Sequence, residues 1–166
     1  MFFETAAGMR PAPLSHNPFN ALVMPRPIGW ISTIDAQGRS NLAPYSYFNA
    51  VSAEPPYVMF AANAPAPGKA KDSYRNLLEV PEFVANVVSG ANREPMNASS
   101  AALARGVSEF EHCGIPALPS RLVRPPRVAA ALAALECRVF QIVDLPPTPD
   151  GRENHVIIGQ VVGIHI

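Results

Sequence analysis

A chain of 166 residues has room for one domain with a single sizeable core and not for two ordinary ones. Thirteen basic residues cancel thirteen acidic ones and no basic stripe is present, so the electrostatic footprint of a nucleic-acid binder is missing. No charged segment leads into an apolar one at the N-terminus, and no apolar run reaches the roughly 18 residues of a membrane span, which points to a cytoplasmic protein with neither membrane nor nucleic acid as partner.

Residues 1–24 contain prolines and no regular pattern, and are read as an arm ahead of a domain over 25–166. Ile28 to Ile34 is β-branched and aromatic and predicts a strand. Asp35-Ala36-Gln37-Gly38 supplies a turn with glycine at its end, and Arg39 to Leu42 starts the return strand of a hairpin. The stretch Ala43 to Ser52 interleaves aromatic and small polar residues. Its Pro44, lacking an N–H, predicts a rigid path outside any strand. Tyr57 to Ala62 predicts a buried strand, and Ala64 to Gly68 a loop. Asp72-Ser73 opens a short helix whose apolar face is Tyr74, Leu77 and Leu78, ended by Pro81. Glu82 to Val88 predicts a strand, and residues 94–112 read as helical or irregular. Leu135 to Leu145 and His155 to Ile164 predict two further strands, joined by a loop over 146–154. The chain stops in strand-like sequence, so a further C-terminal segment, or a strand completed by a partner subunit, is expected.

Nineteen prolines argue against a helical bundle, and six or so short strands with one central helix favour a closed or nearly closed barrel. Charged residues are only 16%, against about 25% in a typical domain. Part of the surface is therefore weakly polar and expected to be buried against a second subunit.

Two stretches could carry chemistry. The helix start at Lys71, Asp72 and Ser73 offers unpaired N–H groups, the positive end of a dipole, an ammonium and a hydroxyl, with Arg75 close by. Together they suit an anion such as phosphate; alternatively Asp72 or Ser73 simply caps the helix. Between Asn41 and Asn49, Ser46, Asn49 and backbone amides could bond a polar ligand, and Tyr45, Tyr47 and Phe48 could flank a planar one or pack in a core. His155, just before the last strand, could orient a ligand or end a strand in water. The histidines and the two cysteines, Cys113 and Cys137, match no metal-site spacing. No G-x-S-x-G, G-x-G-x-x-G or P-loop pattern occurs, so hydrolysis and the common nucleotide folds lack support.

Taken in order, these residues resemble a known family. Pro25 to Thr33, Asn41 to Ser52, Pro55-Pro56, Lys71 to Asn76, Gly106 to Glu111, Leu135-Glu136-Cys137 and His155 to Val161 are similar to the flavin reductase-like, FMN-binding split-barrel family. Ser73 stands where threonine is common and Gln160 where glutamate is frequent. The resemblance runs from about residue 20 to 166. It implies a mainly β (α+β) split β-barrel of Greek-key type with short helices, assembled as a homodimer with FMN near the interface. By resemblance Asn41, Ala43, Pro44, Tyr45, Ser46, Tyr47, Phe48 and Asn49 would wrap the flavin and its phosphate. Lys71, Asp72 and Ser73 would hold the phosphate at the helix start. Arg26, Pro27, Ile28, Gly29 and Trp30 would lie along the ring, and His155 would act near the ring or the nicotinamide.

The activity implied is hydride transfer from NAD(P)H to flavin N5, with reduced flavin kept or passed to a partner monooxygenase. Two alternatives stand beside it. One is a flavoredoxin-like FMN electron carrier that does not react with NAD(P)H, and the other is a split-barrel protein for another ligand.

Overall fold

The computed structural model describes residues 2–5, 11–16 and 18–166; the remaining positions of the expected arm lie outside the described residues. A four-residue helix, α1 (Phe19–Leu22), stands within the arm. The first hairpin forms as its sequence predicts: β1 (Gly29–Ile34) and β2 (Ser40–Tyr45) pair antiparallel. In the turn between them Asp35 Oδ1 accepts the N–H groups of Gln37 (3.0 Å) and Arg39 (2.8 Å), and Gly38 takes a φ of +86°, a conformation that costs glycine little.

The stretch expected to lie outside any strand is a strand on both sides of Ser46-Tyr47. Pro44 sits within β2, opposite Trp30, and β3 (Phe48–Ala53) follows at once. Proline is tolerated there because β2 stands at one end of the strand order, where a missing ladder N–H costs little. After β3 come β4 (Pro56–Asn63), helix α2 (Asp72–Glu79) and β5 (Glu82–Val87). Helices α3 (Arg93–Ala98) and α4 (Glu109–His112) and a two-stranded ribbon, β6 (Ala117–Leu118) with β7 (Arg127–Val128), lead to the long strands β8 (Ala134–Leu145) and β9 (Asn154–His165).

Seven of these strands make one antiparallel sheet in the order β2-β1-β5-β8-β9-β4-β3. Within it β4, β5, β8 and β9 form a Greek key, because β4 returns to lie beside β9. The two outermost strands, β2 and β3, are joined by only two residues, so the sheet curls until its ends meet. Across that seam the rings of Tyr45 (β2) and Phe60 (β4) lie 4.8 Å apart, while Ala61 N–H donates to Tyr47 O at 2.9 Å as a continuation of the β3–β4 ladder.

Alternation along the strands fills the barrel. Ile31, Tyr45, Val58, Phe60, Phe83, Ala85, Cys137, Ile157 and Val161 point inward, joined by Leu77 from α2. Helix α2 packs on β1 and β2, pinned where Asn76 Nδ2 donates to Thr33 Oγ1 at 3.1 Å. The outer face of β1 and β2 is covered as well: Trp30 and Leu42 pack with Phe110, Ile115 and Val128. Burial on both faces leaves even Ser32 and Thr33 of β1 without solvent exposure.

Candidate functional site

A cavity of about 610 Å³ opens between β2, the segment running into α2, and residues 99–105. Its size is that of a pocket for a ligand of cofactor dimensions, commonly about 300–1,000 Å³. The two stretches singled out in the sequence meet on its wall: Asn41, Ala43, Pro44 and Tyr45 on one side, Lys71, Asp72 and Ser73 on the other. A hydrogen bond between the Tyr45 hydroxyl and Ser73 Oγ ties them together.

Helix α2 opens without a side-chain cap. Lys71 takes the N-cap position in an extended conformation (φ −64°, ψ 143°) and supplies no capping hydrogen bond. The first N–H groups of the helix therefore keep their capacity to bind an anion. Of the two acids near this end, Asp72 is paired with Arg105 at 3.1 Å, which also reaches Glu79 at 3.3 Å. Glu109 is buried and accepts Asn41 Nδ2 (2.7 Å) and the Leu42 N–H (2.8 Å) on one oxygen. Lys69, Lys71 and Arg75 also line the cavity, and their side chains form no hydrogen bond or ion pair with the described residues. The wall therefore carries cationic charge that no described residue pairs. The carboxylate of Glu109 also orients the Asn41 amide, since only its NH₂ can face an acceptor; the amide oxygen is left buried without a partner among the described residues.

The other sequence candidates lie off this wall. Trp30 is fully buried behind it, its indole N–H donating to Ser99 Oγ at 2.9 Å. Gly29 faces Phe48, whose ring lies 2.6 Å from where a Cβ would stand. Pro27 and Ile28 precede β1. Ser46 and Tyr47 join β2 to β3, and Asn49 is exposed on β3, its Oδ1 accepting the Ala50 N–H at 2.9 Å. Arg26 holds the arm instead, donating to the carbonyls of Asn20 (2.7 Å) and Val23 and lying over the Tyr47 ring at 5.6 Å. His155 is buried, with Nδ1 2.7 Å from Asp144 Oδ1 and its ring stacked on Tyr74 at 3.7 Å.

Sequence reasoning missed Lys69, Arg105, Glu109 and the whole 99–103 wall. The one available signal was the run of small residues from Ala98 to Ala102, which lets backbone line a cavity. No group of metal-ligating side chains is gathered among the described residues, and no described helix is long and apolar enough to cross a membrane.

A family model described as a flavin reductase-like domain matches residues 21–166. An uncharacterized protein of Deinococcus radiodurans is 42% identical over 148 residues, covering 87% of this chain and 63% of that protein, so the chain spans less than two thirds of that relative's length. The solved structure of nitrilotriacetate monooxygenase component B from Bacillus cereus superposes with a TM-score of 0.83 at 31% identity, covering 95% of this chain and 83% of that one. A split barrel domain protein from Shewanella frigidimarina shares the fold, with a TM-score of 0.75 at 21% identity over 85% of this chain and 67% of that chain. With its curled antiparallel sheet and a match over nearly all its strands, the chain belongs to the flavin reductase-like domain family and has that family's split-barrel fold.

Proposed function

We propose that the cavity between β2 and α2 holds FMN and that the protein is an NAD(P)H-dependent flavin oxidoreductase. The observation that carries this reading is the meeting of the 41–45 strand with the uncapped start of α2, beside three unpaired cations. These residues fit a ligand with a phosphate at one end. Lys71, with Lys69 and Arg75, would neutralise the phosphate, and the first N–H groups of α2 would bond its oxygens. Asn41 would accept from a ligand O–H or N–H, and the backbone of Ala43 to Tyr45 would border the ring. Bound FMN supplies the hydride-accepting chemistry at N5. The protein's share is placement, because hydride transfer from a nicotinamide depends on a short and aligned approach. A dedicated acid or base is not required, which suits a wall whose two carboxylates, Asp72 and Glu109, are both engaged. On this reading His155 is a positioning residue: stacked on Tyr74, it steadies α2 rather than touching the nicotinamide.

A homodimer belongs to the same proposal. On the outer face of the β4-β9-β8 region, Met59 pairs with Ile158 and Ala61 with Val156. Tyr57 meets Phe140, which is 65% exposed. That apolar surface is where a second copy would bind. The Bacillus cereus neighbour is a monooxygenase component, and delivery of reduced flavin to a partner oxygenase is the corresponding use proposed for this chain.

The test is anaerobic. Purified protein loaded with FMN should lose its flavin absorbance within seconds of adding NADH or NADPH. A flavin that binds yet stays oxidised with both donors would convert the reading to a flavoredoxin-like electron carrier, and failure to bind FMN would reject both.

A further inference from the structure

We infer that Tyr45 is a positioning residue for phosphate recognition, acting through Ser73. The inference rests on the reading that the cavity takes a flavin phosphate at the start of α2. Tyr45 ends β2 with its ring in the barrel core against Phe60. Its hydroxyl has a single hydrogen-bond partner among the described residues, Ser73 Oγ. Burial pushes the phenol up to about 12, so the group is protonated at any physiological pH.

That proton needs an acceptor. Both hydroxyls belong to residues that line the cavity, and between them the more acidic phenol O–H is the better donor and the alkyl hydroxyl oxygen the better acceptor. Tyr45 therefore donates and Ser73 Oγ accepts. A serine hydroxyl has one proton of its own, and that of Ser73 has no acceptor among the described residues, although the residue is only 1% exposed. Ser73 lies on the cavity wall with Lys69, Lys71 and Arg75. Such a proton is satisfied by an acceptor that the ligand brings, and the surrounding cations make that acceptor an anionic oxygen. Tyr45 thus sets the direction in which Ser73 donates, by occupying its lone pair from behind. It touches no reacting atom.

The experiment compares dissociation constants for FMN and for riboflavin, which shares the ring and ribityl chain and lacks the phosphate, by quenching of flavin fluorescence. The proteins are wild type, Tyr45→Phe, Ser73→Ala, Ser73→Thr and the Tyr45→Phe/Ser73→Ala double variant. Tyr45→Phe keeps the ring in the core, so its packing survives. It should reduce the preference for FMN over riboflavin by about fivefold, the worth of one hydrogen bond, and leave riboflavin affinity unchanged. Ser73→Thr should keep the preference, and the double variant should be no worse than Ser73→Ala alone. Equal weakening of both ligands by Tyr45→Phe, an unchanged preference, or full additivity with Ser73→Ala would overturn the inference and leave the phosphate site standing. A wild-type protein that binds flavin without preferring FMN would instead remove the phosphate reading itself, and this inference with it.

Discussion

Glu136 is only 1% exposed, yet it carries one of the densest hydrogen-bond sets in the molecule. It accepts the N–H groups of Arg121 (2.7 Å), Leu122 (2.6 Å) and Val123 (3.1 Å), and His165 Nε2 lies 2.5 Å away. Burial alone would raise its carboxyl. The bonds from His165 and the loop amides outweigh burial and hold it below the ordinary carboxylate range. The folded protein therefore favours the ionised form. The stability this contributes is complete above the ordinary value of about 4.3 and drains away as pH falls through the lower, folded value. Glu136→Gln should cost about 1.5–3 kcal/mol at neutral pH and flatten the loss of stability below about pH 4, as read by urea titration at several pH values. The sequence marked Glu136 only as part of a family-like tripeptide, since its three amide donors lie 13 to 15 residues upstream. Lys71 was legible, because a lysine before a helix start suits an anion whatever the fold. Replacing it with Ala should weaken FMN binding about tenfold and leave riboflavin binding unchanged, measured by the same quenching of flavin fluorescence.

At the scale of elements, Gly159 shows how closely β9 approaches its neighbours. A Cβ built there would stand 2.4 Å from Phe83 Cε1 and 3.3 Å from Cys137 Cβ. The Phe83 ring is fully buried and packed edge-on to Phe60 at 5.3 Å, so it has no room to withdraw. Gly159→Ala should destabilise the protein by about 1–3 kcal/mol, seen as a lower urea midpoint with the slope unchanged. The strands were readable from β-branched and aromatic residues, and the helix at 72–79 from its apolar spacing and the proline that follows. Pro44 misled, because the same missing N–H that disqualifies a central strand is harmless at the end of the strand order, and strand order is not a local property. The 99–103 segment was readable only as helical or irregular; its place on the cavity wall depends on Ser99, whose hydroxyl accepts from Trp30 and donates to Met96 O at 2.7 Å.

For the whole molecule, the low charged fraction and the apolar outer face of β4, β9 and β8, where Phe140 is 65% exposed, both bear on the proposed dimer. On the proposed dimer, wild type should sediment as two copies. Met59→Glu, which places a charge on that outer face, should sediment as one with its far-ultraviolet circular dichroism unchanged. A wild-type protein that stays monomeric at tens of micromolar would remove the dimer from the proposal and leave the cavity as it is.

By itself the sequence determined most of the local matters: which segments extend apart from the 43–53 stretch, where the hairpin turns, where α2 begins, and that a cation waits at that beginning. These follow from side-chain shape, glycine and proline geometry and the unpaired amides of a helix end, all of which act over a few residues. Only the tertiary structure decided that Tyr45 meets Ser73, that Glu109 orients Asn41, that Arg105 pairs with Asp72, that Trp30 bonds Ser99 from behind the cavity wall, and that His155 stacks on Tyr74. Those outcomes depend on closing a sheet whose first and last strands are chain neighbours, and the curl that closes it comes from the sum of all seven strands.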